Sequence, residues 1–118
     1  MSWYLTIRSD STYSRTADPD ALVVFLRSLP ELVQTGVNSF SGAVGQPWAH
    51  LTLAMSKCGS FANHDRSLLT INLVEVVCSY EHSESWYDAL AGRIAAFLGW
   101  EALDEHAGRI VWPPGVAA

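Results

Sequence analysis

Basic charge is what this chain has least of. Its 118 residues include one lysine, Lys57, and six scattered arginines against 12 acidic side chains, for a formal net charge of −5. No basic stripe exists to neutralise a row of phosphates, so nucleic acid and anionic membranes are not expected partners, whereas a basic protein surface is. Cysteine is nearly missing as well. Cys58 and Cys78 are too few for a disulfide framework and read as free thiols in or beside strands, with one bridge between them left open if those strands are neighbours. No secretory leader is legible in residues 1–10, which read directly as a strand, and no apolar run approaches the ~20 residues that cross a bilayer. The expected location is therefore cytoplasmic. Glycine patterns that cradle phosphates are absent too: Gly36, Gly42 and Gly45 are irregularly spaced turn residues, and no cofactor is expected.

What the chain does have is apolar and aromatic surface. Hydrophobic residues make up 49% and aromatics 11%, with five tryptophans. Such a chain folds, and its length suits one domain that buries about two-thirds of the surface its unfolded form exposes. That domain is expected over 1–112, with 113–118 as a loose tail. The longest nearly unbroken apolar run, residues 67–80 (SLLTINLVEVVCSY), is too β-branched for a helix and reads as the central strand. Its alternation changes phase. Leu69, Ile71 and Leu73 share one face, then Val74, Val76 and Cys78 continue one residue out of step, so either both faces are covered or a bulge near Val74 resets the side chains.

The remaining elements follow from periodicity and punctuation. Trp3, Leu5 and Ile7 alternate with polar neighbours as a first strand. Asp18 and Pro19 open a helix carrying Leu22, Phe25, Leu26 and Leu29, and Pro30 closes it. Residues 32–40 read as one strand on the alternation of Val33, Thr35 and Val37, and residues 41–47 as a turn. From Trp48 a further strand places Ala49, Leu51, Leu53 and Met55 on one face, and residues 58–66 form a loop. Ser83 caps a second helix over residues 84–98, with Trp86, Leu90, Ile94, Phe97 and Leu98 as the buried stripe, Ala89, Ala95 and Ala96 allowing close approach, and Gly99 as the stop. Two short strands around a turn at 104–108 end the chain. The expected class is α+β: a two-layer sandwich in the order β-α-β-β-β-α-(β-β), with an antiparallel sheet of four to six strands and a loosely ferredoxin-like arrangement.

Chemistry-bearing residues are few and dispersed. His50, His64, His82 and His106 show no i, i+2 or i, i+4 pair, so a metal site is not expected, although folding could bring His50 and His82 to Cys78 across neighbouring strands. No Gly-framed nucleophile turn accompanies either cysteine, and no catalytic residue is assigned. The carboxylates Glu81, Glu84 and Asp88 gather at the start of the second helix, and Asp104 and Glu105 occupy the last turn. There they complement a helix dipole and form turns, or together offer an acidic patch to a cationic partner. The residues expected to bind a partner are Trp48 and His50, as aromatic and imidazole contacts, with Glu81, Glu84, Asp88, Asp104 and Glu105.

Two segments carry a likeness. The opening MSWYLTIRSDSTYSR, a strand followed by a Ser/Tyr/Ser/Arg loop, and the late IAAFLGWEALDEHAGRIV, a helix ending in Leu-Gly-Trp before an Asp-Glu turn, resemble small bacterial immunity-type proteins associated with polymorphic toxins. The resemblance implies a protein that binds a cognate toxin and blocks its active site, without assigning any residue to that contact. Two other classes are carried beside it: a small metal-dependent or His/carboxylate hydrolase using His50 or His82, and a homo-oligomeric adaptor subunit.

Overall fold

A computed structural model describes residues 2–56 and 67–115. In chain order the elements are β1 (Ser2–Arg8), α1 (Pro19–Arg27), β2 (Leu32–Gly36), β3 (Ser39–Gly42), β4 (Ala49–Ala54), β5 (Leu73–Ser79), α2 (Glu84–Leu98), β6 (Glu101–Asp104) and β7 (Arg109–Trp112). The class is α+β, with one antiparallel sheet in the order β2-β3-β4-β5-β1-β6-β7. Seven strands exceed the four to six expected. The difference lies in residues 32–42, which form a hairpin turning at Val37 and Asn38 instead of one strand. The alternating Val33 and Val37 are 49% and 43% exposed, while Leu32 and Phe40 face the core. Asn38 suits a turn, and folding back there lets Phe40 pair with Leu51 of β4 and bury fully.

The expected central strand is central, but shorter. Residues 67–72 are not part of β5: Leu69 is 97% exposed, and Ile71 forms only an isolated bridge with Ala17, exchanging both backbone hydrogen bonds. From Leu73 the register against β1 and β4 runs unbroken to the strand's end, so no bulge accounts for the change of phase. Leu73 and Val74 point to opposite faces and are both buried, which covers both sides of the sheet at that end. Asn72 fastens the start of β5 to the end of β4, accepting from the Ser56 backbone N–H at 2.8 Å and donating to the Ser56 carbonyl at 3.1 Å.

Register sorts the side chains into two faces. Leu5 and Ile7 of β1 lie level with Val76 and Val74 of β5, and those with Leu51 and Leu53 of β4; all are buried with Leu22 and Leu26 of α1 and Leu90, Ile94 and Ala95 of α2. Burying this face drives folding, at roughly 25 cal/mol per Å² of apolar surface removed from water. Helix α1 starts as its sequence directs, with Asp18 accepting from the Asp20 N–H at 2.9 Å and Pro19 in the first turn. Helix α2 spans the expected residues and ends at Gly99, whose φ of 71° is the left-handed stop that glycine adopts without strain. Ser83 stands at its N-cap but makes no capping bond; its hydroxyl meets that of Ser85 at 2.7 Å.

The buried stripe of α2 is rotated from the expected one. Tyr87, Leu90, Ala91, Gly92, Ile94 and Ala95 are buried, whereas Phe97 is 45% exposed and Ala89 and Ala96 face outward. Close approach falls on Gly92 instead: a Cβ there would stand 3.3 Å from the Trp112 ring, so β7 packs on the helix where it has no side chain. Met55, expected to continue the inward face of β4, lies past its end and is 47% exposed. Cys58, His64 and the whole of the expected 58–66 loop lie outside the described residues, as do the last three of the tail.

Candidate functional site

The face of the sheet turned away from the helices carries Tyr4, Thr6 and Arg8 from β1, Glu75 and Val77 from β5, His50 and Thr52 from β4, and Glu101 and Leu103 from β6. Glu75 sits at its middle. Its register partners are Thr6 on one side and Thr52 on the other, both largely buried hydroxyl residues. No hydrogen bond or ion pair to a described residue holds its carboxylate. Burial raises its pKa above the ordinary glutamate value, the charge of Glu105 raises it further, and His50 acts in the opposite direction.

Beside this carboxylate the sheet opens into a cleft. β6 pairs with β1 only along Thr6, Ile7 and Arg8, so residues 2–5 have β5 on one side and no described strand on the other. A cleft of about 540 Å³ fills the gap, lined by Ser2, Trp3, Tyr4, Thr6, Glu75 and Tyr80, with Glu105 and His106 of the β6–β7 turn as the facing wall. Tyr4 and Tyr80 are 51% and 59% exposed, and the Tyr80 ring lies 6.4 Å from that of Trp3. A second cleft of about 280 Å³ shares Trp3, Tyr80 and His106 and continues to His82, Glu84 and Asp104.

Arg8, on the same face of β1 as Thr6, is occupied. Its Nε donates to Glu101 at 2.9 Å, its Nη1 to Glu105 at 3.4 Å, and its guanidinium carbon lies 5.5 Å from the centre of the Tyr13 ring. The Tyr13 backbone reaches that position at a φ of 55°, within a loop tied together by Asp10, which accepts from Thr12 and Ser14. These bonds hold the Asp10 carboxyl far below the usual aspartate range.

The chain matches no family model, no curated protein and no solved structure among those compared.

The seven expected partner residues fall into three places. Glu84, Asp88 and Asp104 converge on Arg109 of β7, at 2.9, 3.0 and 3.9 Å, so much of that negative charge is neutralised within the fold. Glu105 and His50 lie on either side of Glu75. Trp48, 53% exposed, and Glu81 stand at the far end of β5: the Trp48 carbonyl accepts from the Tyr87 hydroxyl, which accepts from the Ser79 N–H at 3.1 Å, and the Ser79 hydroxyl accepts from the Glu81 N–H.

Two constellations considered from sequence do not form among the described residues. Cys78 is level with Ala49 on the helix-covered face, while His50 is level with Val77 on the open face, so the sheet separates thiol from imidazole. Burial pushes the Cys78 thiol up to about 12, and it is free and inert as a nucleophile. Among the described residues no group of three or more His, Cys, Asp or Glu side chains is arranged to hold a metal. Sequence reasoning missed Glu75, although its signal was present: it is the only charge within LVEVVCS, a carboxylate set into the apolar central strand.

Proposed function

We propose that this chain is a binding module that recognises a basic segment of a protein partner through the open face of its sheet, and that it acts as an immunity-type protein occluding a cognate toxin. The observation that carries the binding reading is the Glu75 cleft: a half-buried carboxylate without a partner among the described residues, in a cleft that the exposed Tyr4 and Tyr80 also line. Exposed aromatics beside unpaired charge are what an interface uses, since the rings supply contact area at low entropic cost and the charge selects the partner. The toxin reading adds the resemblance of the opening and the late segments. In that reading inhibition is steric: the sheet face covers the toxin's catalytic cleft, and no chemistry is asked of this chain.

The test is functional. Tagged protein is used to retain a partner from the source organism, the partner is produced separately, and its toxicity to cells and its catalytic activity are measured with and without this chain. Stoichiometric suppression of both supports the reading, and a retained partner whose activity is unaffected refutes the toxin assignment.

Glu75 also favours a second reading. A carboxyl with a raised pKa beside Glu105 and His50 is what general acid catalysis requires, as in a small His/carboxylate hydrolase. Turnover of ester, phosphoester or glycoside substrates that disappears in Glu75→Gln would establish it; no turnover by the wild-type protein would remove it.

A further inference from the structure

Resting on the binding reading, we propose that the Glu75 cleft is the receptor for an arginine side chain presented by the partner protein. The sign of the occupant follows from what lines the cleft. Glu75 and Glu105 line it from β5 and from the β6–β7 turn, while Arg8, on the same face of β1 as Thr6, is committed to Glu101, Glu105 and the Tyr13 ring. An anion would meet two carboxylates. An apolar side chain would strip water from Glu75 and leave a charge with no compensating bond, a cost that grows steeply with burial. A metal ion would need more ligands than the described residues bring together.

The shape of the occupant follows from the walls. Tyr4, 51% exposed, lies on the same face as Glu75, level with Val77 two residues along β5, while Trp3 and Tyr80, 6.4 Å apart, line the cleft from the helix-covered side of the sheet. A guanidinium satisfies both demands at once, because its plane stacks on aromatic rings while its edge donates in parallel to a carboxylate. An ammonium group does only the second, as a compact and strongly hydrated point charge. The same pairing already occurs within this protein, where Arg8 lies over Tyr13 and donates to Glu101. The cleft of about 540 Å³ also has room for the long stem of arginine, with Thr6 as a neutral floor beside Glu75.

The test needs no knowledge of the partner. Uniformly labelled protein is titrated with N-acetyl-Gly-Arg-Gly-amide, and with the lysine and citrulline peptides of the same length, while amide shifts are followed by NMR. The arginine peptide is expected to shift Ser2, Tyr4, Thr6, Glu75 and Tyr80. It should bind several-fold more tightly than the lysine peptide, and the uncharged citrulline peptide should lose at least about tenfold, the size of one charge-assisted hydrogen bond. Glu75→Gln, which keeps shape, and Tyr4→Ala, at an exposed position, should each weaken the arginine peptide without changing the rest of the spectrum. Citrulline binding as well as arginine, or shifts that Glu75→Gln leaves unchanged, overturns the proposal. The two readings fail separately: a partner held equally well by wild type and Glu75→Gln keeps the binding module and removes the arginine receptor, whereas an arginine-specific cleft with no protein partner does the reverse.

Discussion

Replacing Tyr87 by phenylalanine removes one oxygen atom from the largest fully buried side chain among the described residues, and its cost can be worked from that atom's two bonds. The ring is fully buried, edge-on to Trp3 at 5.7 Å and to Trp86 at 5.2 Å, and phenylalanine keeps both contacts. What disappears is the hydroxyl that donates to the Trp48 carbonyl and accepts from the Ser79 N–H, the link between α2, the entry to β4 and the end of β5. Each bond contributes about 1 kcal/mol net, and a donor left unsatisfied at a partly buried site costs about 1–3 kcal/mol. Trp48 is half-exposed, so its carbonyl recovers a bond to water, and the Ser79 N–H carries most of the loss. The expected change is about 2 kcal/mol, or roughly 6–12 °C in Tm for a chain of this size. Urea and thermal unfolding at pH 7, with the m value unchanged, measure it. A variant within about 0.5 kcal/mol of wild type would show that the hydroxyl network contributes nothing net and that Tyr87 acts through its ring alone.

Glu75→Gln should raise the Tm of the free protein at pH 7, because the native carboxyl, with its pKa raised by burial, holds its proton more tightly than the unfolded chain does. The native state therefore loses stability as pH rises through that range, and the advantage of the variant should shrink on acidification and vanish below the ordinary value of 4.5; a constant advantage from pH 3 to 8 would contradict the burial argument. Arg109→Gln releases three carboxylates that its guanidinium gathers, and since the side chain is 38% exposed the loss should be about 1 kcal/mol and smaller in high salt. In a Cys58→Ser background, Cys78 should react with a thiol reagent at pH 8 only as fast as the protein opens globally; labelling within seconds in native buffer would place it at the surface. Gly92→Leu should be destabilising, by about 1–3 kcal/mol in urea unfolding, because its side chain would have to displace the Trp112 ring.

Local chemistry determined much of this protein in the sequence itself. Asp18 with Pro19, and Gly99 after an apolar stripe, place helix ends that depend on only a few neighbouring residues. Alternation in residues 3–7 and 49–53 identified two strands and their inward faces, since a period of two is a property of the strand alone. The α+β class and the two helices followed from these signals. What tertiary structure decided is everything that depends on pairing. Leu69 and Ile71 continue the apolar series of β5 as text, yet only β1 and β4 determine where pairing starts, and they start it at Leu73. Residues 32–42 fold back at Asn38 because Phe40 finds a place opposite Leu51, a partner that their own pattern does not name. The stripe of α2 turned toward Tyr87 and Gly92 because the Trp48 carbonyl and the Trp112 ring waited there. The site follows the same rule. Glu75 stands in the sequence as one charge in an apolar strand, but the cleft it lines arises only when β6 stops short along β1 and the turn at Glu105 closes the gap, contacts between residues that lie far apart along the chain.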